Sequence, residues 1–192
     1  MPPKPPPIPP YFSLGPVAGN GSKVRVPIVS TSPHPYIPYG LLPLLPPSAL
    51  PHLSWLLQKH ALKQDTLLLS RPSTLPYLLA ASYAEAVNLK FFHTQVTSST
   101  LPSNFKQQRV LNDSGDTSFV NTPALQAALE GGVLHLSSLH SAPSNVLPSI
   151  NNLLENRSID LDDGTMIVSP ERYKQLRLDH EPREQFIPCH PE

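Results

Sequence analysis

The sequence predicts an α/β protein with a parallel sheet, preceded by a proline-rich leader. From residue 65 onward, short apolar runs alternate with segments of helical periodicity in the order strand, helix, strand, helix, strand, helix. Because consecutive parallel strands are joined by crossover connections, this order favours a parallel sheet. More than half of the 26 prolines lie before residue 52. Since proline fixes φ and removes a backbone donor, residues 1–47 are predicted to be a partly extended, partly disordered leader.

Composition narrows the classes of function. The chain has 192 residues, enough for one domain and a tail, and its 14 Lys and Arg balance its 14 Asp and Glu. Without a basic surface, nucleic-acid binding is not expected. One cysteine, Cys189, excludes a disulfide framework and a Cys-cluster zinc site, and the eight histidines are scattered, so no metal site is predicted. No apolar run reaches the roughly 18 residues of a membrane span.

The leader begins with a tract that is almost entirely proline, Met1–Pro10. It is predicted to be disordered or polyproline II, and two roles remain open: a solvated leader, or a ligand for an SH3 or WW domain. It has neither a signal-peptide apolar segment nor the character of a mitochondrial presequence. Residues 22–30 predict a short strand, followed by an extended chain that turns at Gly40.

The body is predicted to begin with a helix from its N-cap Ser48 to Lys63, in which Trp55 is a packing anchor. One face of this helix carries Leu53, Leu56, Leu57 and His60. Residues 65–70, a continuous apolar run, predict a buried parallel strand. The segment after Pro76 predicts a helix with an apolar face of Leu79, Tyr83, Ala86 and Val87. Residues 89–96 predict the next strand.

The remaining elements have clear end signals. Residues 98–121 are polar and predict a long surface excursion with limited structure and a turn at residues 113–115. Thr122 is the predicted N-cap of a helix that ends at Gly131 and leads into a strand at 133–136. Further elements are an amphipathic helix with Leu147, Ile150, Leu153 and Leu154, a hairpin turning at Asp163–Gly164, a helix over 169–178, and a flexible tail at 181–192.

The loop after residues 65–70 is the place for a phosphate-binding loop, G-x-x-x-x-G-K-[ST]. In that motif the glycines let backbone N–H groups wrap the phosphates, the lysine neutralises them, and the hydroxyl binds Mg²⁺. Here Ser70 and Leu75 stand at the glycine positions, Pro76 at the lysine and Tyr77 at the hydroxyl. The residues that could still meet an anion are Arg71, Ser73 and Thr74, each of which is also consistent with a solvated loop.

The strand at 133–136 ends in Ser137–Ser138. A strand that ends in two carboxylates beside a nucleotide supplies one carboxylate for Mg²⁺ and one to orient the attacking water. A serine hydroxyl has neither the charge nor the basicity for these tasks, so we predict no catalytic residue here. The alternative is a buried strand whose serines simply begin a loop.

Three segments, residues 37–43, 50–70 and 145–173, together with the order of the elements, resemble the first AAA+ module of the von Willebrand factor A domain-containing protein eight family. These are dynein-related, midasin-like AAA+ ATPases. The resemblance implies a P-loop NTPase-like (AAA+) three-layer core over residues 48–180, incomplete on its C-terminal side, with 67–69 and 134–136 as neighbouring strands. In that family residues 70–73 generally read Gly-Pro-Pro-Gly, and this chain keeps only Pro72.

The resemblance implies ATP and Mg²⁺ as cofactors, other AAA+ modules or protein substrates as partners, and a mitochondrial location; without a presequence, the other expectation is the cytoplasm. Because both halves of the nucleotide site depart from the motif, we expect a non-hydrolysing module or fragment that binds ATP weakly and acts in protein association. Two alternatives remain open: an ATP-hydrolysing remodelling ATPase, as in intact relatives, and a proline-rich SH3- or WW-binding adaptor.

Overall fold

The computed structural model of the chain describes residues 11–14, 24–28, 34–113, 115–179 and 185–191. The chain divides into two compact units, residues 1–91 and 92–192. The prediction for Met1–Pro10 lies outside the described residues. Over the described ranges, no helix is both long and apolar enough to cross a bilayer. The mixed helix and strand content, with parallel strand pairing in the second unit, confirms the predicted α/β class.

The first unit begins with two antiparallel strands, β1 (Tyr11–Leu14) and β2 (Val24–Pro27), with Tyr11 opposite Pro27. β2 confirms the strand predicted within residues 22–30, whereas β1 was not predicted. Val26 is fully buried in the core of this unit, against which Phe12 and Leu14 also pack. The alternation of apolar and polar residues in β2 therefore places one of its faces on the core.

Helix α1 (Leu50–Ala61) follows two short 3-10 turns, Leu42–Leu44 and Pro47–Ala49. The predicted apolar face is confirmed, since Leu53, Leu56 and Leu57 are buried. The prediction of Ser48 as the N-cap is wrong: it lies inside the second 3-10 turn, and the N-cap is Ala49, which has no side-chain cap. Trp55 is also not a core anchor, because it is 40% exposed with the Lys59 ammonium over its ring.

Helix α2 (Leu75–Val87) supplies the other large part of this core. Leu79, Ala86 and Val87 are buried against α1 residues, and Tyr83 packs at the margin, as predicted. The helix ends at Asn88, which adopts the left-handed conformation with φ 55°. Asparagine tolerates this conformation better than most residues because its short polar side chain can bond locally.

The strand predicted at residues 65–70 is wrong. In the structure these residues have no strand pairing. The side chains of Leu67 and Leu69 are 66% and 88% exposed, and only Leu68 packs against the hydrophobic core of the first unit. An apolar run fixes which residues favour burial, but a strand also needs a neighbouring backbone to pair with. The predicted pairing of 67–69 with 134–136 is wrong for the same reason.

In the second unit, β3 (Phe91–Gln95) confirms the strand predicted at 89–96. After a 3-10 turn at Pro102–Phe105 comes an antiparallel hairpin of β4 (Gln107–Leu111) and β5 (Thr117–Asn121). The prediction of limited structure over 98–121 is therefore wrong. In the connection between the two strands, of which residue 114 is not described, Gly115 N donates to Asn112 O at 2.9 Å. The hairpin was not recognised in the sequence because both of its faces are exposed to solvent, so its residues are mostly polar and show no apolar alternation.

Helix α3 (Pro123–Glu130) has the predicted ends: the Thr122 hydroxyl accepts a hydrogen bond from Leu125 N, and Gly131 follows with φ 73°. It leads into β6 (Val133–Ser137), which pairs with β3. His93 stacks on His135, and Val96 N donates to Ser137 O at 3.0 Å. Since partner numbers rise together along the two strands, the pair is parallel.

The last elements are α4 (Val146–Asn156), β7 (Ile159–Asp160), β8 (Met166–Val168), α5 (Pro170–Asp179) and β9 (Phe186–Pro188). The predicted hairpin is confirmed: Ile159 opposes Ile167 across a turn containing Gly164 at φ 87°. Leu147 is not part of the buried face of α4, being 45% exposed. β9, which was not predicted, pairs parallel with β8 inside the predicted tail 181–192.

Candidate functional site

The loop predicted at the phosphate position, Ser70–Thr74, lies in the first unit and leads directly into α2. Ser70 Oγ donates to the carbonyl of Arg71 at 2.8 Å, so the loop is stabilised locally. The side chains of Arg71, Ser73 and Thr74 are all exposed. The loop is therefore open to solvent, which is consistent with the interpretation of these three residues as solvated loop residues.

The first turn of α2 decides what this loop can offer to an anion. Thr74 is the N-cap, but its side chain caps no backbone N–H. Pro76 stands in the first turn, where it contributes no N–H, and Tyr77 packs edge-on against Phe91 with ring centroids 5.5 Å apart. A helix N-terminus attracts phosphate through its free N–H groups, so the loss of one donor weakens this one.

The serine pair lies at the end of β6 in the second unit. Ser137 is the last residue of the strand, and Ser138 follows in the left-handed conformation with φ 58° and ψ 36°. Along β6, Leu134 and Leu136 pack into a core cluster that contains Val96, Phe105, Ala124, Val146 and Ile150. Because side chains alternate along a strand, His135 and Ser137 lie on the opposite face.

Ser137 is held by a histidine that sequence reasoning did not identify. The Nε2 atom of His93, on β3, lies 3.0 Å from Ser137 Oγ. The rings of His93 and His135 are stacked, with centroids 5.2 Å apart and an angle of 28° between their planes. The parallel pairing of β3 and β6 thus gathers two imidazoles and a hydroxyl on one face of the sheet.

This cluster carries no negative charge. Burial lowers the pKa of His93, and burial together with the neighbouring His93 lowers the pKa of His135. Both imidazoles are therefore neutral near pH 7, and a serine hydroxyl does not ionise in this range. The cluster can accept or donate hydrogen bonds, but it offers no carboxylate oxygen to a hard cation such as Mg²⁺.

His93 has partial access to a polar cavity of about 410 Å³. The cavity is lined by His93, Thr94, Gln95, Thr97, Ser99, Thr100, Asn104, Gln108 and Pro123. The described ranges contain no group of three or more His, Cys, Asp or Glu side chains able to hold a metal ion. The sequence placed His93 in a predicted strand, but it did not indicate which strand would pair with that one. The side chains that contact His93 could therefore not be predicted.

The carboxylate of Asp163 has a structural role in the hairpin turn. Its Oδ1 atom accepts from Thr165 N and Thr165 Oγ1, and its Oδ2 atom accepts from Gln107 Nε2 at 2.9 Å. The bond from the Thr165 hydroxyl is the largest of the contributions that lower the Asp163 pKa. These contacts stabilise the turn and join it to β4, so we assign Asp163 no catalytic role.

The chain is similar in sequence to known proteins. A sequence model of the AAA domain (dynein-related subfamily) matches residues 67–184, more than half of the chain. The chain is 38% identical over 137 residues to the von Willebrand factor A domain-containing protein 8 of Mus musculus. That match covers 71% of this chain and 7% of the mouse protein, so the chain spans a small part of its relative's length. No solved structure matches the chain.

Proposed function

This chain belongs to the dynein-related subfamily of AAA domains, and we propose that it is a non-hydrolysing member that acts in protein association. Membership of the family implies nucleotide binding and protein association in general terms. The proposal is that this chain has lost the chemistry of hydrolysis and kept association.

The observation that carries the proposal is the contact between Ser137 and His93. Hydrolysis in this class of fold needs a carboxylate on Mg²⁺ and a carboxylate that positions water. At the end of β6 stand two hydroxyls, and Ser137 Oγ lies 3.0 Å from an imidazole nitrogen. A neutral hydroxyl and a neutral imidazole supply no negative charge to Mg²⁺, and neither is the carboxylate that orients the attacking water in this class of fold.

The loop before α2 supports the same conclusion independently. Leu75 and Pro76 stand where the motif has its second glycine and its lysine, so a backbone donor and a cation are both missing. A hydrogen bond to a charged group contributes about 1.5–3 kcal/mol, and each 1.4 kcal/mol is about tenfold in affinity. From several such losses we expect Mg·ATP binding in the millimolar range or weaker.

The β4–β5 hairpin supports a role in association. It exposes apolar side chains on both strands, including Leu111 at 72% and Val120 at 47%. A two-stranded hairpin with both faces in solvent is marginally stable alone, so a partner surface would stabilise it. We propose that the AAA module of a second copy of this chain covers one face of this hairpin. Val110 and Val120, which are 42% and 47% exposed, lie on the same face. In sedimentation velocity, Val110→Lys with Val120→Lys should reduce concentration-dependent self-association, whereas Leu147→Lys on α4, at a site that is 45% exposed, should not.

The test of the nucleotide site is a restoration series on the whole chain, with calorimetric titration of Mg·ATP and assay of phosphate release. The unmodified chain should bind more weakly than about 1 mM and release no phosphate above background. Leu75→Gly with Pro76→Lys should strengthen binding, because a flexible backbone position and a cation return to the loop before α2. Micromolar affinity in the unmodified chain, abolished by Arg71→Ala or Thr74→Ala, would overturn the proposal.

A further inference from the structure

The two units of the chain carry opposite charge. Residues 1–91 contain seven Lys and Arg and two Asp and Glu, whereas residues 92–192 contain seven and twelve. The formal charge is therefore +5 for the first unit and −5 for the second, although the whole chain is neutral. Such an asymmetry is typical of chains that bind a membrane surface or a nucleic acid. We propose that the first unit binds an anionic lipid surface through the outer face of α1 and the residues that follow this helix.

The outer face of α1 carries an aromatic ring, a cation and an apolar side chain. Trp55 and Lys59 of α1 and its C-cap residue Leu62 are spaced by four and three positions, so they lie on one side of the helix. The Lys59 ammonium is 5.6 Å from the centroid of the Trp55 ring. Trp55 is 40% exposed and Leu62 is 64% exposed. Tryptophan and lysine combine an apolar body with a polar or charged end, which suits them to the boundary between acyl chains and headgroups.

The residues after α1 add two leucines to this surface. Gln64 N donates to Lys59 O at 3.1 Å, and Lys59 Nζ donates to Gln64 Oε1 at 2.9 Å, so the chain turns back against the end of the helix. Leu68 then packs against the core of the first unit, while the leucines on either side of it, Leu67 and Leu69, are exposed. No strand among the described residues pairs with them. Two leucines held in solvent by a fixed neighbour can enter a lipid layer without unfolding the unit.

The cations of the same surface favour an anionic layer. Lys63 and Arg71 flank the exposed leucines, and both side chains are exposed. The first unit has two acidic residues, Asp65 and Glu85. The Glu85 carboxylate accepts hydrogen bonds from three backbone N–H groups, so it does not oppose an anionic surface. Lysine and arginine close to an apolar anchor are attracted to anionic headgroups.

The apolar side chains distinguish a lipid surface from other anionic partners. A nucleic acid would contact the cations through its phosphates, but it would leave Leu67 and Leu69 in water. A protein partner would need a groove complementary to the convex surface of a helix, whereas acyl chains adapt their shape to the side chains that enter them. Burial of exposed leucine side chains among acyl chains is favourable. A lipid surface is therefore the partner that uses both the leucines and the cations.

The experiment is binding of the whole chain, without nucleotide, to vesicles of phosphatidylserine and phosphatidylcholine. Trp55 is the single tryptophan of the chain, so its fluorescence reports on this surface directly. We expect co-sedimentation with the mixed vesicles that weakens as salt is added, and little with phosphatidylcholine alone. The emission of Trp55 should move to shorter wavelength on binding, and lipids brominated near the headgroup should quench it.

Two double variants separate the apolar and the charged contributions. Leu67→Ser with Leu69→Ser should weaken vesicle binding at least about tenfold, and Lys59→Gln with Lys63→Gln should do so by a similar factor. Their matched controls lie on exposed sites of the second unit. Leu101→Ser with Leu147→Ser, and Lys174→Gln with Arg177→Gln, should leave binding unchanged. Because all these side chains are largely in solvent, the variants should fold, which circular dichroism checks.

Four results would overturn the proposal. They are equal binding to neutral and anionic vesicles, an unshifted Trp55 emission in vesicle-bound protein, undiminished binding of the Leu67 and Leu69 double variant, and preferential binding to single-stranded DNA. The first two are measured on the unmodified chain, so they remain decisive if a variant fails to fold. The last would identify a nucleic-acid surface instead.

Discussion

The carboxylate of Glu85, on α2, accepts a hydrogen bond from the backbone N–H of Gly40 at 2.7 Å. The same carboxylate accepts two more, from Leu41 N at 2.8 Å and Leu42 N at 2.9 Å. Three consecutive N–H groups therefore converge on one side chain 43 or more residues away in sequence. This carboxylate holds the turn at Gly40 against the first unit, where a helix start leaves N–H groups without helical partners.

Replacing Glu85 should destabilise the first unit. In Glu85→Ala the three N–H groups lose a charged acceptor while two of them are partly buried, so we expect the free energy of unfolding to fall by about 2 kcal/mol or more. Glu85→Gln should lose less, because one amide oxygen remains. Urea unfolding measures both. Glu155→Gln, which disturbs only an exposed bond to Asn151, is the control and should change stability by less than about 0.5 kcal/mol.

Gly131 should tolerate no side chain. Its φ of 73° disfavours any other residue, and an added Cβ would lie 2.5 Å from His190 Nδ1. We expect Gly131→Ala to cost about 2–3 kcal/mol, because it adds displacement of the His190 ring to the backbone strain. Gly164→Ala has a similar φ of 87° but open space around the new methyl, so it should cost only about 1 kcal/mol. Equal losses in the two variants would contradict the packing argument.

The stability of the second unit should depend on pH through the histidine pair. The folded pKa values of His93 and His135 lie below 6.5, so below that pH the unfolded state binds more protons than the folded state. Stability is then complete above pH 6.5 and declines as the pH falls, until the folded imidazoles are themselves protonated. Urea unfolding between about pH 7.5 and 5.5 should show this slope. The slope should diminish in His135→Gln and persist in His140→Gln.

Cys189 should react slowly in the folded protein. Its side chain is 4% exposed, its thiol donates to Ala128 O at 3.1 Å, and its N–H donates to Val168 O at 2.8 Å. Burial raises the pKa of the thiol, which lowers the fraction of reactive thiolate. We expect reaction with a disulfide reagent to be at least about a hundredfold slower than in denaturant. Ser99→Cys in a Cys189→Ala background places a thiol on an exposed turn and should react at once.

The sequence was sufficient to predict features that depend on interactions between neighbouring residues. Thr122, Pro123 and Gly131 mark both ends of α3 because capping and positive φ depend on neighbouring residues only. Asp163–Gly164 predicted the β7–β8 turn for the same reason. The serines at 137 and 138 could likewise be placed at the end of β6 from the apolar run before them.

Pairing between distant segments was not predictable in the same way. Leu67 and Leu69 look like buried strand residues, yet they are exposed, since no strand of the described residues pairs with them. The β4–β5 hairpin escaped prediction because it buries little apolar surface and so lacks an apolar period. β9 forms because its backbone pairs in parallel with β8. The residues around Phe186 do not by themselves indicate that β8 is their partner.

The sequence by itself determined the α/β class, the ends of α3, the turn at Gly164 and the absence of acids at positions 137 and 138. These follow from residue identity and from interactions over a few neighbours. Only the tertiary structure decided that β3 lies beside β6, and hence that His93 meets His135 and Ser137. The physical reason is that strand pairing is a contact between segments 44 residues apart, whose register is set by packing of the whole unit rather than by either strand.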